Sequence, residues 1–187
     1  MKLPSITTLS VVLLASEILL VFAKRSKTRN QGKDRLTLPL LWTVITLSIS
    51  TGFFCRAVFP QGRLPHPLVF YITGLVLFVA GLIMRWIAII HLGRFFTVNV
   101  AIAKDHKLIT SGPYRFLRHP SYTGTLLMFF GFGLCMLNIL ALAVVIVPIT
   151  TAFLWRIHVE EAALSELFGD RYRVYRATTA RIIPWLY

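Results

Sequence analysis

Residues 121–155 read SYTGTLLMFFGFGLCMLNILALAVVIVPITTAFLW, a run without a single Asp, Glu, Lys or Arg. One helix over this run would reach roughly 50 Å at 1.5 Å per residue, well beyond the roughly 30 Å hydrocarbon core of a bilayer. The chain must therefore fold back on itself, and Asn138, near the middle, marks the tip. Two spans, at about 121–137 and 139–155, then form a hairpin. Gly131 and Gly133 inside it follow no strand, so they read as helix packing rather than a nucleotide loop.

Working outward, the rest of the chain has the same character. Of its 187 residues 56% are hydrophobic and the mean hydropathy is +0.71, which points to a membrane protein. Three further apolar runs precede the hairpin, at about 3–23, 37–59 and 68–92. The first ends in Lys24-Arg25-Ser26-Lys27 rather than a small-residue cleavage site, so a retained span is expected. Pro60 to Pro67 is turn chemistry between the second and third. The expected fold class is an all-α integral membrane protein with about five transmembrane helices, a C-terminal amphipathic helix and a cytosolic loop. One domain, 1–187, holds them all.

Charge sets the topology. The chain carries 20 Lys/Arg against 7 Asp/Glu, a formal net charge of +13. Sixteen of those cations fall in 24–35, in 93–120 and from 156 onward. Cations bordering apolar runs serve topology and anionic lipid heads, not nucleic acid. The positive-inside rule then puts the N-terminus outside and the C-terminus in the cytosol. Two charges lie within spans: Glu17 should face other helices, while Arg85 could snorkel, pair with Glu17 or serve a site. Cys55 and Cys135 have no metal-ligand or disulfide-framework spacing.

The polar exceptions gather on the cytosolic side. Residues 104–124 pack His, Lys/Arg, Pro, Gly and Tyr between hydrophobic runs and read as a shaped pocket wall. After the last span, 156–177 reads as an amphipathic helix interrupted by Gly169. Arg156 and Glu160 are four apart and share a face where that helix leaves the membrane. His106 and His119 lack the companion ligands a metal needs, so no metal site is expected. No Ser sits in a strand-turn-helix elbow. Hydrogen bonding to a bound polar molecule is the better use of these groups.

The stretch from His106 to Tyr114, then Arg118-His119-Pro120-Ser121-Tyr122-Thr123-Gly124, then Glu160-Glu161 with Leu167 to Tyr172 and Tyr175, closely resembles the isoprenylcysteine carboxyl methyltransferase family. The phospholipid N-methyltransferases are wider relatives. The resemblance covers about residues 90–187. It implies a membrane enzyme that uses S-adenosylmethionine without a Rossmann domain, held in the region 94–124 and 156–187.

Carried over by position, the cofactor contacts are Asn99, His106, Lys107, Leu108, Ile109, Tyr114, His119, Pro120, Ser121, Tyr122 and Glu160. Arg156 falls where the family places a residue for the substrate carboxylate, and Glu161 or His158 would be a base for an amine acceptor. The expected activity is carboxyl methylation of a prenylcysteine-like, lipophilic or lipidated substrate. The alternatives are phospholipid amine methylation, a non-catalytic membrane scaffold and a small transporter. Transport would call for internal repeats and more ionisable groups at mid-membrane depth than Glu17 and Arg85.

Overall fold

The computed structural model describes residues 3–23, 37–96 and 107–184, and all its regular elements are helical. These are α1 (Ile6–Ala23), α2 (Thr37–Val58), α3 (Pro67–Leu92), α4 (Pro120–Cys135), α5 (Ile139–Phe168) and α6 (Asp170–Thr178). Among them α2, α3 and α5 are long and apolar enough to cross a membrane, and α1 adds a shorter apolar helix. Helix α4, with 16 residues, extends about 24 Å. Large apolar side chains such as Val11, Leu19, Leu47, Val69, Ile90 and Val147 point outward and are exposed, as lipid contact allows.

The tip of the α4–α5 hairpin forms at Asn138. Its Oδ1 accepts from the amides of Leu140 (3.0 Å) and Ala141 (3.1 Å), capping α5. Its Nδ2 donates to the Phe59 carbonyl (2.8 Å), and the Leu64 amide donates to the Leu137 carbonyl (3.0 Å). One buried side chain thus starts a helix and fastens the α2–α3 connector to the hairpin.

Helices α3 and α4 meet along small residues. A Cβ on Gly74 would lie 2.7 Å from the Gly131 carbonyl oxygen, and one on Gly124 would lie 2.7 Å from that of Gly81. Such backbone approach is how helices pack in lipid, where tails are as apolar as leucine. Phe78, Met128, Phe132, Val145 and Ile149 fill the core around this seam. Helix α1 is held differently, by polar groups along α3. Tyr71 donates to the Pro4 carbonyl, Trp86 Nε1 to Ser16 Oγ (2.8 Å) and Arg85 Nη2 to Glu17 Oε2 (2.8 Å). Of the readings open for Arg85, pairing with Glu17 is what the fold uses.

One element differs from expectation. Residues 156–168 do not begin a new helix but continue α5 to Phe168. Nothing between Trp155 and Phe168 breaks a helix, and the break comes at Gly169, where φ is +53°. At 30 residues α5 runs about 45 Å, so its last turns carry side chains beyond the lipid core.

The glycine seam predicts that Gly74→Val lowers detergent unfolding stability by about 1–3 kcal/mol through overpacking. Val76→Ala, on the exposed face of the same helix, should leave the unfolding midpoint nearly unchanged.

Candidate active site

The loop before α4 is shaped by Gly112, whose φ is +58° and whose Cβ would collide with the His91 ring. That approach lets His91 Nε2 bond Ser111 Oγ (3.0 Å) and the ring stack on Tyr114, with centroids 6.2 Å apart. Tyr114 is buried; its hydroxyl reaches the Ala88 carbonyl (3.4 Å) and its own carbonyl accepts from Tyr175 Oη (2.7 Å). Burial first, then the nearby Glu160, push the Tyr114 phenol far above its ordinary value, so it remains neutral.

Residues 116–123 and the tail beyond α6 clasp each other. Ala180 donates its amide to the Phe116 carbonyl (3.2 Å), and Arg118 and His119 donate theirs to Ala180 (2.8 Å) and Arg181 (3.2 Å). Thr123 Oγ1 donates to the Ile182 carbonyl (2.7 Å). Glu161, 4% exposed, closes the clasp from α5. Its Oε1 takes Arg118 Nε (2.8 Å) and His119 Nε2 (3.4 Å), and its Oε2 takes Arg181 Nη2 (2.8 Å). Burial alone would raise the Glu161 carboxyl. The hydrogen bonds and charges of His119 and Arg118 outweigh it and hold the group well below the usual carboxylate range.

Beside the clasp lies a second polar cluster. Tyr122 Oη donates to Glu160 Oε2 (2.8 Å) and accepts from Arg156 Nε (3.0 Å), while Arg156 Nη1 donates to Thr37 Oγ1 (2.9 Å). His119 stacks on Tyr122 at 5.6 Å and 19°, and Phe153 packs against the same ring. Helix α4 opens without a side-chain cap; its first bonded amide is Thr123, to the His119 carbonyl (3.0 Å). The Ser121 hydroxyl at this end is buried without a partner. Below Tyr122 and Arg156 opens a narrow cleft of about 50 Å³, walled by Leu20, Leu41, Trp42, Ile45, Phe129 and Phe153.

Of the residues singled out in the sequence, His119, Pro120, Ser121, Tyr122, Arg156 and Glu160 converge, with Tyr114 close behind. Lys107 is exposed, and Leu108 and Ile109 are half-buried on the approach to Ser111. Asn99 and His106 lie outside the described residues. Glu161, the possible base, faces the clasp, with both oxygens taken up by cationic donors. No group of His, Cys, Asp or Glu among the described residues could hold a metal ion. Sequence reasoning missed Thr37, Arg118 as an anchor, and Arg181. Arg118 stood inside the quoted motif, but neither Thr37 nor Arg181 has any spacing that would mark it.

The isoprenylcysteine carboxyl methyltransferase family model matches residues 74–166. Protein-S-isoprenylcysteine O-methyltransferase A of Arabidopsis thaliana is 35% identical over 115 residues, 60% of this chain and 58% of that protein. The match thus spans well under two thirds of that relative. The protein-S-isoprenylcysteine O-methyltransferase of Schizosaccharomyces pombe is 33% identical over 163 residues, 83% of this chain and 69% of that one. A solved eukaryotic intramembrane Ras methyltransferase shares the fold, with a TM-score of 0.71 over 97% of this chain and 65% of that one, at 23% identity. The architecture is that of an all-α integral membrane protein.

Breaking the clasp should be costly. Glu161→Ala leaves buried guanidinium groups uncompensated and should remove about 3–5 kcal/mol of unfolding stability at pH 7. Asp170→Ala, which breaks only the exposed pair with Arg173, should show no measurable change. Because the folded Glu161 carboxyl titrates below its unfolded value, its contribution is complete above an ordinary pKa of about 4.3. It is lost as pH falls through the lower folded value, so the gap between wild type and Glu161→Ala should persist down to about pH 4.

Proposed function

The chain belongs to the isoprenylcysteine carboxyl methyltransferase family, and on that premise we propose that it transfers a methyl group from S-adenosylmethionine to the carboxylate of a lipophilic, prenylcysteine-like acceptor. The observation that carries this reading is the Tyr122 hydroxyl, shared between Glu160 and Arg156 at the head of an apolar cleft. It joins a carboxylate suited to a cationic cofactor and a guanidinium suited to an anionic acceptor.

The residues at the start of α4 suit that cofactor. An amino-acid moiety brings a carboxylate and an ammonium group. The uncapped amides at the helix start and the unpartnered Ser121 hydroxyl offer donors for the first. Glu160 offers an acceptor for the second, and the stacked faces of His119 and Tyr122 suit an aromatic base. When bound, the cofactor supplies an electrophilic methyl on a sulfonium. Tyr114, Lys107, Leu108 and Ile109 would complete the wall, with Asn99 and His106 as further proposed contacts.

What the chain itself contributes is placement. A carboxylate acceptor, with a pKa of about 3.3–3.7, is already ionised at neutral pH and needs no base. Arg156, itself buried, fixes it through charge-assisted bonds. Holding nucleophile and methyl donor in line supplies most of the acceleration. Glu161 then serves as an anchor rather than a base, since its oxygens are spent on Arg118, His119 and Arg181. The apolar walls take the acceptor's hydrocarbon directly from the bilayer. The skew of Lys and Arg supports a cytosolic site and C-terminus with the N-terminus outside, and the chain's length fits 1–187 as one domain.

Glu160→Ala should abolish S-adenosylmethionine binding measured by calorimetry in detergent; unchanged affinity would defeat the cofactor assignment. Arg156→Ala should leave that binding within about threefold but cut turnover of a prenylcysteine analogue by at least 100-fold, roughly the 3 kcal/mol of a lost charged bond. Radiolabelled product from wild type should be base-labile, marking an ester. Base-stable product from phosphatidylethanolamine would assign amine methylation instead.

A further inference from the structure

The end of the helix bundle away from the candidate active site carries cations and no acids. Residues 37–92 and 121–155 contain no Asp or Glu, and six of the seven acids fall in 24–35, 93–120 and 156–187. The seventh, Glu17, is taken by Arg85. Arg56 and Arg63 nevertheless stand at this end, against the charge skew of the chain. Arg56 is in the last turn of α2 and Arg63 is in the connector to α3.

Both arginines line one pocket of about 340 Å³, where the α2–α3 connector meets the α4–α5 tip. An antiparallel bridge joins Arg63 to Asn138. The polar atoms of Asn138, on the pocket wall, are already taken by Phe59, Leu140 and Ala141. Leu137, also on the wall, has φ +54°, and His66, just before Pro67 on the wall, has φ +49°. Non-glycine residues seldom adopt this backbone, so both turns are held in place by the contacts around them. The salt bridges of the described residues lie elsewhere. The two guanidinium groups are the donors this pocket has to offer.

A guanidinium stays charged at any physiological pH and presents a planar fork that matches phosphate. Two in one pocket, with no acid at this end, call for an anion. Helix α2, with 22 residues, extends about 33 Å, so its last turn reaches headgroup level. Val58, Phe59, Leu68 and Ile139 lie within three positions of pocket residues and are exposed to lipid. An anion beside hydrocarbon is the chemistry of a phospholipid. A zwitterionic head would also bring an ammonium group, for which no carboxylate stands here. We propose that Arg56 and Arg63 bind the phosphate of a net-anionic phospholipid, which clamps the connector to the hairpin tip. This site is separate from methyl transfer and its failure would leave that reading untouched.

The test titrates the full chain in neutral detergent with phosphatidylglycerol or phosphatidylcholine of the same acyl chains. Native mass spectrometry counts the first lipid bound. Wild type should take phosphatidylglycerol about 30-fold more tightly, the increment expected of two arginines. Arg56→Gln with Arg63→Gln should lower that ratio to below about threefold. Arg173→Gln with Arg176→Gln removes the same charge from the exposed side of α6, at the other end, and should keep the ratio. Phosphatidylglycerol should also raise the unfolding midpoint of wild type above that in phosphatidylcholine, and should not do so for the Arg56/Arg63 variant. If the double variant does not fold, Arg63→Gln alone should lower the ratio to about fivefold.

A wild-type ratio near one overturns the inference. So does a large ratio that survives loss of Arg56 and Arg63, or one that vanishes with the α6 pair, because the lipid then binds elsewhere. Inorganic phosphate in large excess should leave most of the lipid bound. Full displacement would assign the pocket to a free phosphate and overturn the lipid reading.

Discussion

The carboxylate of Glu161 stands where three separated stretches of chain meet: the end of α5, the loop at 117–119 and the tail at 180–182. Two guanidinium groups and an imidazole converge on it inside the protein. A buried ion cluster is costly in desolvation and returns that cost only when its geometry is complete. Here the bonds along the Leu117–Ala180 bridge complete it. Removing the anion would leave like charges facing each other, and both backbone segments would lose their common anchor. His119, which stacks on Tyr122, is placed by this cluster, so the candidate site inherits its geometry from a residue that does not face the cleft.

The two adjacent glutamates show how a small rotation separates roles. Consecutive residues on a helix differ by about 100° in direction. Glu160 therefore meets Tyr122 and the cleft side, while Glu161 turns toward the clasp. Because α5 runs unbroken from the lipid to Phe168, that division is set by the same helix whose lower half forms the core with Val145, Ile149 and Phe153. Packing in the membrane and charge placement above it are parts of one rigid rod.

Much of this could be read from residues alone. The uncharged run 121–155 exceeded a bilayer's thickness and had to turn at Asn138, and the turn is there. Arg156 and Glu160 share a face as their spacing suggested, and they meet Tyr122 of the His119–Tyr122 motif, which the family resemblance had marked. The continuity of α5 was missed because the change from apolar to charged residues at Arg156 looked like a boundary. Composition changes at a membrane surface, whereas a helix ends only where backbone chemistry ends it, here at Gly169. The Arg181 contribution had no local signal, since it depends on a tail returning across 20 residues to Glu161. Distinguishing an anchoring glutamate from a ligand-facing one likewise required the azimuth of each side chain.

The attachment of α1 has a consequence for Glu17. Its three fastenings to α3 involve Pro4, Ser16 and Glu17 on one segment and Tyr71, Trp86 and Arg85 on the other, so the two segments run parallel and are joined near both ends. Grease-like packing would permit a helix to roll about its long axis at little cost, since one methyl replaces another. Directional bonds in a dry medium do not, because each fails with a modest change of angle. The first helix behaves as a keyed shaft, able to shift only if all its keys disengage together, and the angular setting of its one carboxylate is fixed more firmly than the packing of Leu9, Leu13 and Leu20 alone would allow.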